Sequence, residues 1–289
     1  MKRRELLRAA VMAMCGLPGA RLAVAAGPKR SPKRLLFFTR SVGFEHSVVR
    51  RNGSRLSHAE RILIDLGTRL GAQVECTKDG AAFDGDIGVY DAFAFYTCGD
   101  LATPGNDPGR PLSAEGKRKL LAAIAGGKGF VGFHSAADTF HSRAAELDPY
   151  VAMLGGEFVT HGAQQNASLI LVSHFPRIRG FGIAEGLSFT DEWYALNNFA
   201  RDLHVILVQE TKYMQGDCYR RPDYPCTWAR RHGAGRVFYT SLGHREDVWT
   251  NPFFQTIALA GLDWALGNVQ ADVTPNIDRV TPQANQLTL

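Results

Sequence analysis

Of the chain's 289 residues, 45% are hydrophobic and 21% charged, the proportions of a soluble globular protein long enough to bury a sizeable core. The formal charge of +5 comes from the start of the chain: residues 1–26 hold Lys2, Arg3, Arg4, Arg8 and Arg21 against Glu5, and beyond them 28 basic residues face 27 acidic ones, a net of +1. That leaves no basic footprint for nucleic acid, and no later stretch reaches the ~18 consecutive apolar residues of a membrane span.

Residues 1–26 read as an export signal: an arginine pair and Arg8 precede a moderately apolar run, and Ala23-Val24-Ala25 offers a small-x-small cleavage site. The pair Arg3-Arg4 resembles a twin-arginine signal, so the mature protein is expected in the periplasm or secreted. Residues 27–33 are a polar lead-in without structure. Cys218 and Cys226 share a polar, proline-containing loop and are expected to pair in an oxidising compartment, whereas Cys76 and Cys98 end strands too far apart to bridge.

Residues 35–39 predict a first buried strand, followed by a loop over 40–55 that contains Phe44-Glu45-His46. Ser57-x-x-Glu60 is a capping box opening a helix with Ala59, Leu63, Leu66 and Leu70 on one face. Strands over 73–77 and 90–97 come next, then a Pro/Gly loop and a helix capped by Ser113. The run 129–133 is a buried strand that stops abruptly in His134, Ser135, Asp138 and His141. This alternation is that of a parallel doubly wound sheet, and right-handed crossovers give its first strands the order 2-1-3-4. A helix over 144–154, strand-like runs at 157–161, 168–172, 189–194, 204–208, 227–230 and 235–244, and a closing helix over 252–266 complete a domain placed at 34–267. Residues 268–289 are expected to be an extended polar tail.

Gly132-Phe133-His134-Ser135-Ala136 has the register of a G-x-Ser-x-G nucleophile elbow, with histidine in the nucleophile's place. His46, His134, His161 and His244 all end strands or open the loops just beyond, and the ends of parallel strands share one rim. Imidazoles with the carboxylates of Asp191-Glu192 suit a divalent metal (Zn, Mn, Ni or Fe), with His134, His161 and His244 as ligands. They suit proton transfer equally well, with His134, His244 and Glu192 as the catalytic groups. His46, Asp191, Trp193 and Tyr194 are assigned to substrate binding, and the rings of Trp193, Tyr194 and Trp249 are of the kind that stacks on a sugar. Asp138 and His141 are assigned to capping or bracing a helix after the elbow. Gly127-x-Gly129-x-x-Gly132 leads into a strand instead of opening a helix, so no NAD site is expected.

Together, Gly43-Phe44-Glu45-His46, the segment 129–136, Leu154-Gly155-Gly156-Glu157-Phe158-Val159-Thr160-His161, Asp191-Glu192-Trp193-Tyr194, the segment 235–244 and Trp249-x-Asn251-Pro252 resemble the ThuA-like (trehalose utilisation) family from about residue 35 to 266. The resemblance implies a flavodoxin-like three-layer α/β sandwich, mostly parallel, of the class I glutamine amidotransferase type but without its Cys-His-Glu triad. It also implies a small-molecule sugar partner, trehalose or a related disaccharide, used through 3-keto derivatives. The long insert 213–225, with its two cysteines, departs from the family pattern and bears on the pocket rim.

Three functions follow as expectations. The first is an isomerase, lyase or hydrolase acting on a keto-glycoside by His/Glu acid–base or metal-assisted chemistry. The second is a sugar- or metal-binding protein that kept the cleft and lost the chemistry. The third is a hydrolase or amidotransferase using Ser135, whose hydroxyl sits one residue off the elbow register.

Overall fold

The first strand, β1 (Lys33–Phe38), divides the interior in two: Leu35 and Phe37 face one core, Leu36 and Phe38 the other, and all four are fully buried. Burial on both faces is why this strand reads as an unbroken apolar run. The protein was analysed as a computed structural model that describes residues 31–143, 146–178 and 186–287, so the export signal expected over 1–26 lies outside the described residues. Lys33, expected in the lead-in, already belongs to β1.

In chain order the elements are α1 (His58–Arg69), β2 (Ala72–Thr77), β3 (Ala92–Phe95), α2 (Ala114–Ala125), β4 (Gly129–Phe133), α3 (Pro149–Leu154), β5 (Glu157–His161), β6 (Gln165–Leu171) and β7 (Gly186–Asp191). They continue with β8 (Tyr194–Asn197), β9 (His204–Glu210), β10 (Tyr224–His232), β11 (Gly235–Thr240), α4 (Glu246–Thr250), α5 (Pro252–Ala265) and α6 (Ile277–Val280). Both expected caps are present: Ser57 and Glu60 bond reciprocally at the start of α1, and the Ser113 side chain accepts the Gly116 N–H.

The main sheet is ordered β2-β1-β3-β4-β11-β10-β9-β6-β7. Its first four strands have the expected 2-1-3-4 order, and β11 joins β4 in parallel. From β11 outward each pairing is antiparallel, so β9 and β7 run with the parallel block while β10 and β6 run against it. Residues of α1 and α5 pack on one face and those of α2, α3 and α6 on the other, which makes three layers.

Three expectations are corrected. The strand 157–161 is not in the main sheet: β5 pairs antiparallel with β8 in a separate two-stranded sheet. The polar tail is not simply extended, because Ile277 and Ala284 are buried and the Asn276 side chain bonds both the N–H and the carbonyl of Val205. No Cys218–Cys226 bridge is formed. Both thiols are free, the Cys226 Sγ pointing from β10 into the core towards the Leu207 carbonyl at 3.5 Å.

Candidate functional site

The carboxyl ends of β1, β4, β11 and β7 meet on one rim, and each contributes a polar side chain there. His134 follows β4 directly and has φ 40°, in the left-handed region that a residue with a Cβ rarely adopts. This is the elbow conformation expected from the sequence. Two bonds hold it: the Tyr239 hydroxyl donates to the His134 carbonyl at 2.8 Å, and His134 Nδ1 lies 2.7 Å from the Ser241 carbonyl. Because a carbonyl only accepts, Nδ1 carries the proton and Nε2 presents its lone pair to the rim.

Around that nitrogen one donor atom each from His46, His134, Glu192 and His244 lies within 4.8 Å of the others. Glu192 Oε2 is 3.5 Å from His134 Nε2 and 3.1 Å from His244 Nδ1. Neither nitrogen has a hydrogen-bond partner, and neither does His46 Nδ1. Buried imidazole nitrogens without partners are costly unless something fills the space between them. Three imidazoles and one carboxylate at this spacing are a group able to hold a metal ion.

The electrostatics agree. Burial, with His134 and His244 alongside, pushes the His46 imidazole from 6.5 down to about 2, so it stays neutral and keeps a free lone pair. Burial raises the Glu192 carboxyl, but His134 and His244 in their charged, proton-bearing forms outweigh it and hold the group well below the usual carboxylate range. Burial raises the phenols of Tyr96 and Tyr194, which remain protonated. Tyr194 lies against the His134 ring, centroids 4.1 Å apart, with its hydroxyl 3.4 Å from His46 Nε2.

Asp191 sits beneath the cluster, fully buried, and accepts the Gly243 N–H at 2.7 Å and the Glu192 N–H at 3.0 Å. It ties the loop carrying His244 to the segment carrying Glu192. Gly243 makes this junction possible: its φ is +118°, and its carbonyl accepts from Tyr96 and Trp249 while its N–H reaches Asp191.

The expected residues therefore come together, some of them at other places than expected. His46, assigned to substrate, is 2% exposed and part of the cluster. His161, assigned as a ligand, is exposed at the edge, its Nδ1 3.4 Å from Glu192 Oε1 but bonded to the Gly162 carbonyl at 2.9 Å. Asp191 faces backbone instead of substrate. Trp193 and Trp249 are fully buried and Tyr194 nearly so, which leaves none of them a face for a sugar. Ser135 is fully buried as well.

The helix expected after the elbow is a short 3-10 turn over His134–Asp138, and Asp138 at its end braces His141 beyond it: Asp138 Oδ1 holds His141 Nε2 at 2.7 Å and Oδ2 takes the Cys98 thiol at 3.0 Å, and that carboxylate raises the His141 pKa. One contributor escaped the sequence reading. Tyr219, in the insert, accepts the Gly162 N–H and donates to the Trp193 carbonyl, joining the loop after His161 to the segment after Glu192. A tyrosine in a polar loop carries no signal of that role.

A doubly wound α/β domain with a histidine–carboxylate cluster in the place of an elbow nucleophile is the class of protein these features define. The chain belongs to the ThuA family, described as trehalose utilisation, whose profile matches residues 34–265. A ThuA-like protein from Parabacteroides merdae is similar in fold, with a TM-score of 0.61 at 16% identity over 83% of this chain and 92% of that one. A ThuA-like protein from Bacteroides uniformis gives 0.56 at 16% identity over 83% and 94%. No curated protein matches the sequence. Among the described residues, no helix is long and apolar enough to cross a membrane.

Proposed function

We propose that this protein is a periplasmic enzyme of disaccharide metabolism that uses a divalent metal (Zn, Mn, Ni or Fe) to act on a trehalose-type 3-keto-glycoside. The observation that carries the reading is the trio of unpartnered imidazole nitrogens around the Glu192 carboxylate. The family description supplies the carbohydrate class, and the arginine pair of residues 1–26 supplies the location.

His46, His134, His244 and Glu192 would hold the metal, which supplies Lewis-acid polarisation of a substrate carbonyl. A carbonyl at C3 acidifies the C–H at C2. His161, at the exposed edge beside Glu192 and with Nδ1 donating to the Gly162 carbonyl, would take that proton on Nε2. The C–H electrons then form the C1–C2 double bond as the glycosidic C1–O bond breaks, and the proton passes to the departing oxygen. Buried Tyr96 and Tyr194, kept protonated, close the floor of the site against water.

The test is metal analysis of the purified mature protein together with turnover on keto-disaccharides. His134→Ala and His244→Ala are each expected to lose both metal and turnover. Turnover retained in both would overturn the reading, and sugar binding without any product would make the protein a binding protein instead. Cell fractionation tests the location.

A further inference from the structure

The aromatic rings first assigned to sugar stacking are buried, yet one ring at the rim is not. Among the described residues four large hydrophobic side chains are exposed, and of these Phe44, at 60%, stands at the cluster, its ring edge-on to His46 with centroids 4.8 Å apart. A phenyl left 60% exposed beside a buried polar centre gains only part of what full burial would give it. Nor is it a loose tip. Gly43 exchanges hydrogen bonds with the Asn106 side chain at 3.2 and 2.8 Å, and Glu45 is held by Arg50 at 3.1 Å and Lys78 at 3.4 Å. The chain on both sides of the ring is pinned, which fixes the ring's place while leaving it uncovered.

Three residues further along the same loop, Ser47 lines a cavity of about 350 Å³ with Gln164, His244, Arg245, Glu246 and Asp247. Every one of those side chains is polar or charged, and His244 belongs to the cluster. The Phe44 ring packs on His46, whose own ring is 5.1 Å from that of His244 in the cavity lining, and an apolar ring one residue removed from a polar hollow matches a molecule with one apolar face and a hydroxyl-rich edge. A pyranose ring is such a molecule: its axial C–H groups form an apolar face that packs on an aromatic ring, and its hydroxyls need donors and acceptors around the edge.

We propose that Phe44 is the platform on which the C–H face of a pyranose ring rests, and that it selects cyclic sugars over open-chain polyols at the mouth of the histidine cluster. The proposal rests on the carbohydrate reading above and names the surface that reading lacked. The ring carbons nearest the cluster face His244, while the hydroxyls turn into the cavity lined by Ser47, Gln164 and Arg245.

Calorimetric titration of the mature, metal-loaded protein with trehalose, methyl glucopyranoside and the open-chain polyol sorbitol tests it. The wild type is expected to bind the two pyranosides and not sorbitol. Phe44→Ala should weaken pyranoside binding about tenfold, Phe44→Trp should keep it, and metal content should stay the same in both. Equal pyranoside affinity in wild type and Phe44→Ala overturns this proposal and leaves the carbohydrate reading standing. Binding of neither pyranoside by the wild type overturns this proposal, and absence of turnover on keto-disaccharides as well overturns the carbohydrate reading. Affinity for sorbitol equal to that for the glucoside overturns the selectivity claim.

Discussion

Acid should destabilise this protein through His46 before it reaches the carboxylates. The imidazole is 2% exposed and rings of Phe44, Tyr96, His134 and His244 surround it. Burial and its histidine neighbours lower its pKa from 6.5 to about 2. The folded protein refuses a proton that the unfolded chain accepts below about pH 6.5. The contribution is therefore nil above that value and becomes a loss that grows as pH falls towards the folded pKa, by about 1.4 kcal/mol per unit. At pH ~5 it amounts to about 2 kcal/mol, a large share of a typical folding free energy. Glu192 works in a lower window: its carboxyl is depressed, so its stabilisation is complete above its ordinary value of 4.5 and fades only below it. His141 works the other way, since Asp138 raises its pKa and its stabilisation is present in acid and lost as pH rises. Its half-exposed ring makes that opposing contribution smaller. The assay is urea denaturation of chelator-treated mature protein at about pH 7.5 and about pH 5, comparing wild type with His46→Gln. The variant should lose about 2 kcal/mol less on acidification. Parallel pH profiles in the two proteins would refute the claim that His46 is held neutral.

Asp191→Asn keeps one acceptor but turns an amide NH₂ towards a backbone N–H, so the tie between the His244 loop and Glu192 is broken on one side. Metal affinity by chelator competition should fall about 10- to 100-fold with the fold intact, and an unchanged affinity would show that Asp191 does not position the cluster. Gly243→Ala forces a side chain into φ +118° and sets its Cβ 3.3 Å from Phe254 and Trp249. Unfolding midpoints in urea should report a loss of about 1–3 kcal/mol, and no loss would mean that the junction tolerates a side chain.

The parallel half of the fold was readable because its strands are buried on both faces and its helices carry explicit caps. Ser57, Glu60 and Ser113 behave as their positions in the sequence require. The antiparallel half was harder to read, since Glu192-Trp193 breaks what reads as one strand over 189–194 into β7 and β8. Local pattern also leaves the positions of two histidines open. His161 ends a strand just as His134 does, but that strand pairs with β8 and leaves its histidine at the exposed edge. His46 lies in an irregular loop with no periodicity, and it enters the cluster because the contacts of Glu45 with Lys78 and Arg50 and of Gly43 with Asn106 fold the loop inward. Both cases have one cause: side-chain convergence depends on pairings between distant segments, and a strand's sequence does not name its partner.

The elbow explains why a scaffold of this type can exchange one chemistry for another at a single position. A left-handed residue at the end of a buried strand costs about 1–3 kcal/mol. Here that cost is met by contacts independent of the side chain's identity: the Tyr239 hydroxyl on the His134 carbonyl, and close packing of Ala136 and Leu154 around Gly132. What the turn delivers is a side chain projecting from the rim. A serine or cysteine there has one reactive atom and needs a base beside it. A histidine has two nitrogens, and the Ser241 carbonyl takes the proton-bearing one, leaving the other as a fixed lone pair facing Glu192. Such an atom binds a cation more readily than it attacks a carbonyl carbon. The neighbouring groups fit that exchange: beside the elbow stand His46 and His244, two further imidazoles, and the Glu192 carboxylate. The histidine at residue 134 thus stands in a set of four groups that together could hold a metal ion.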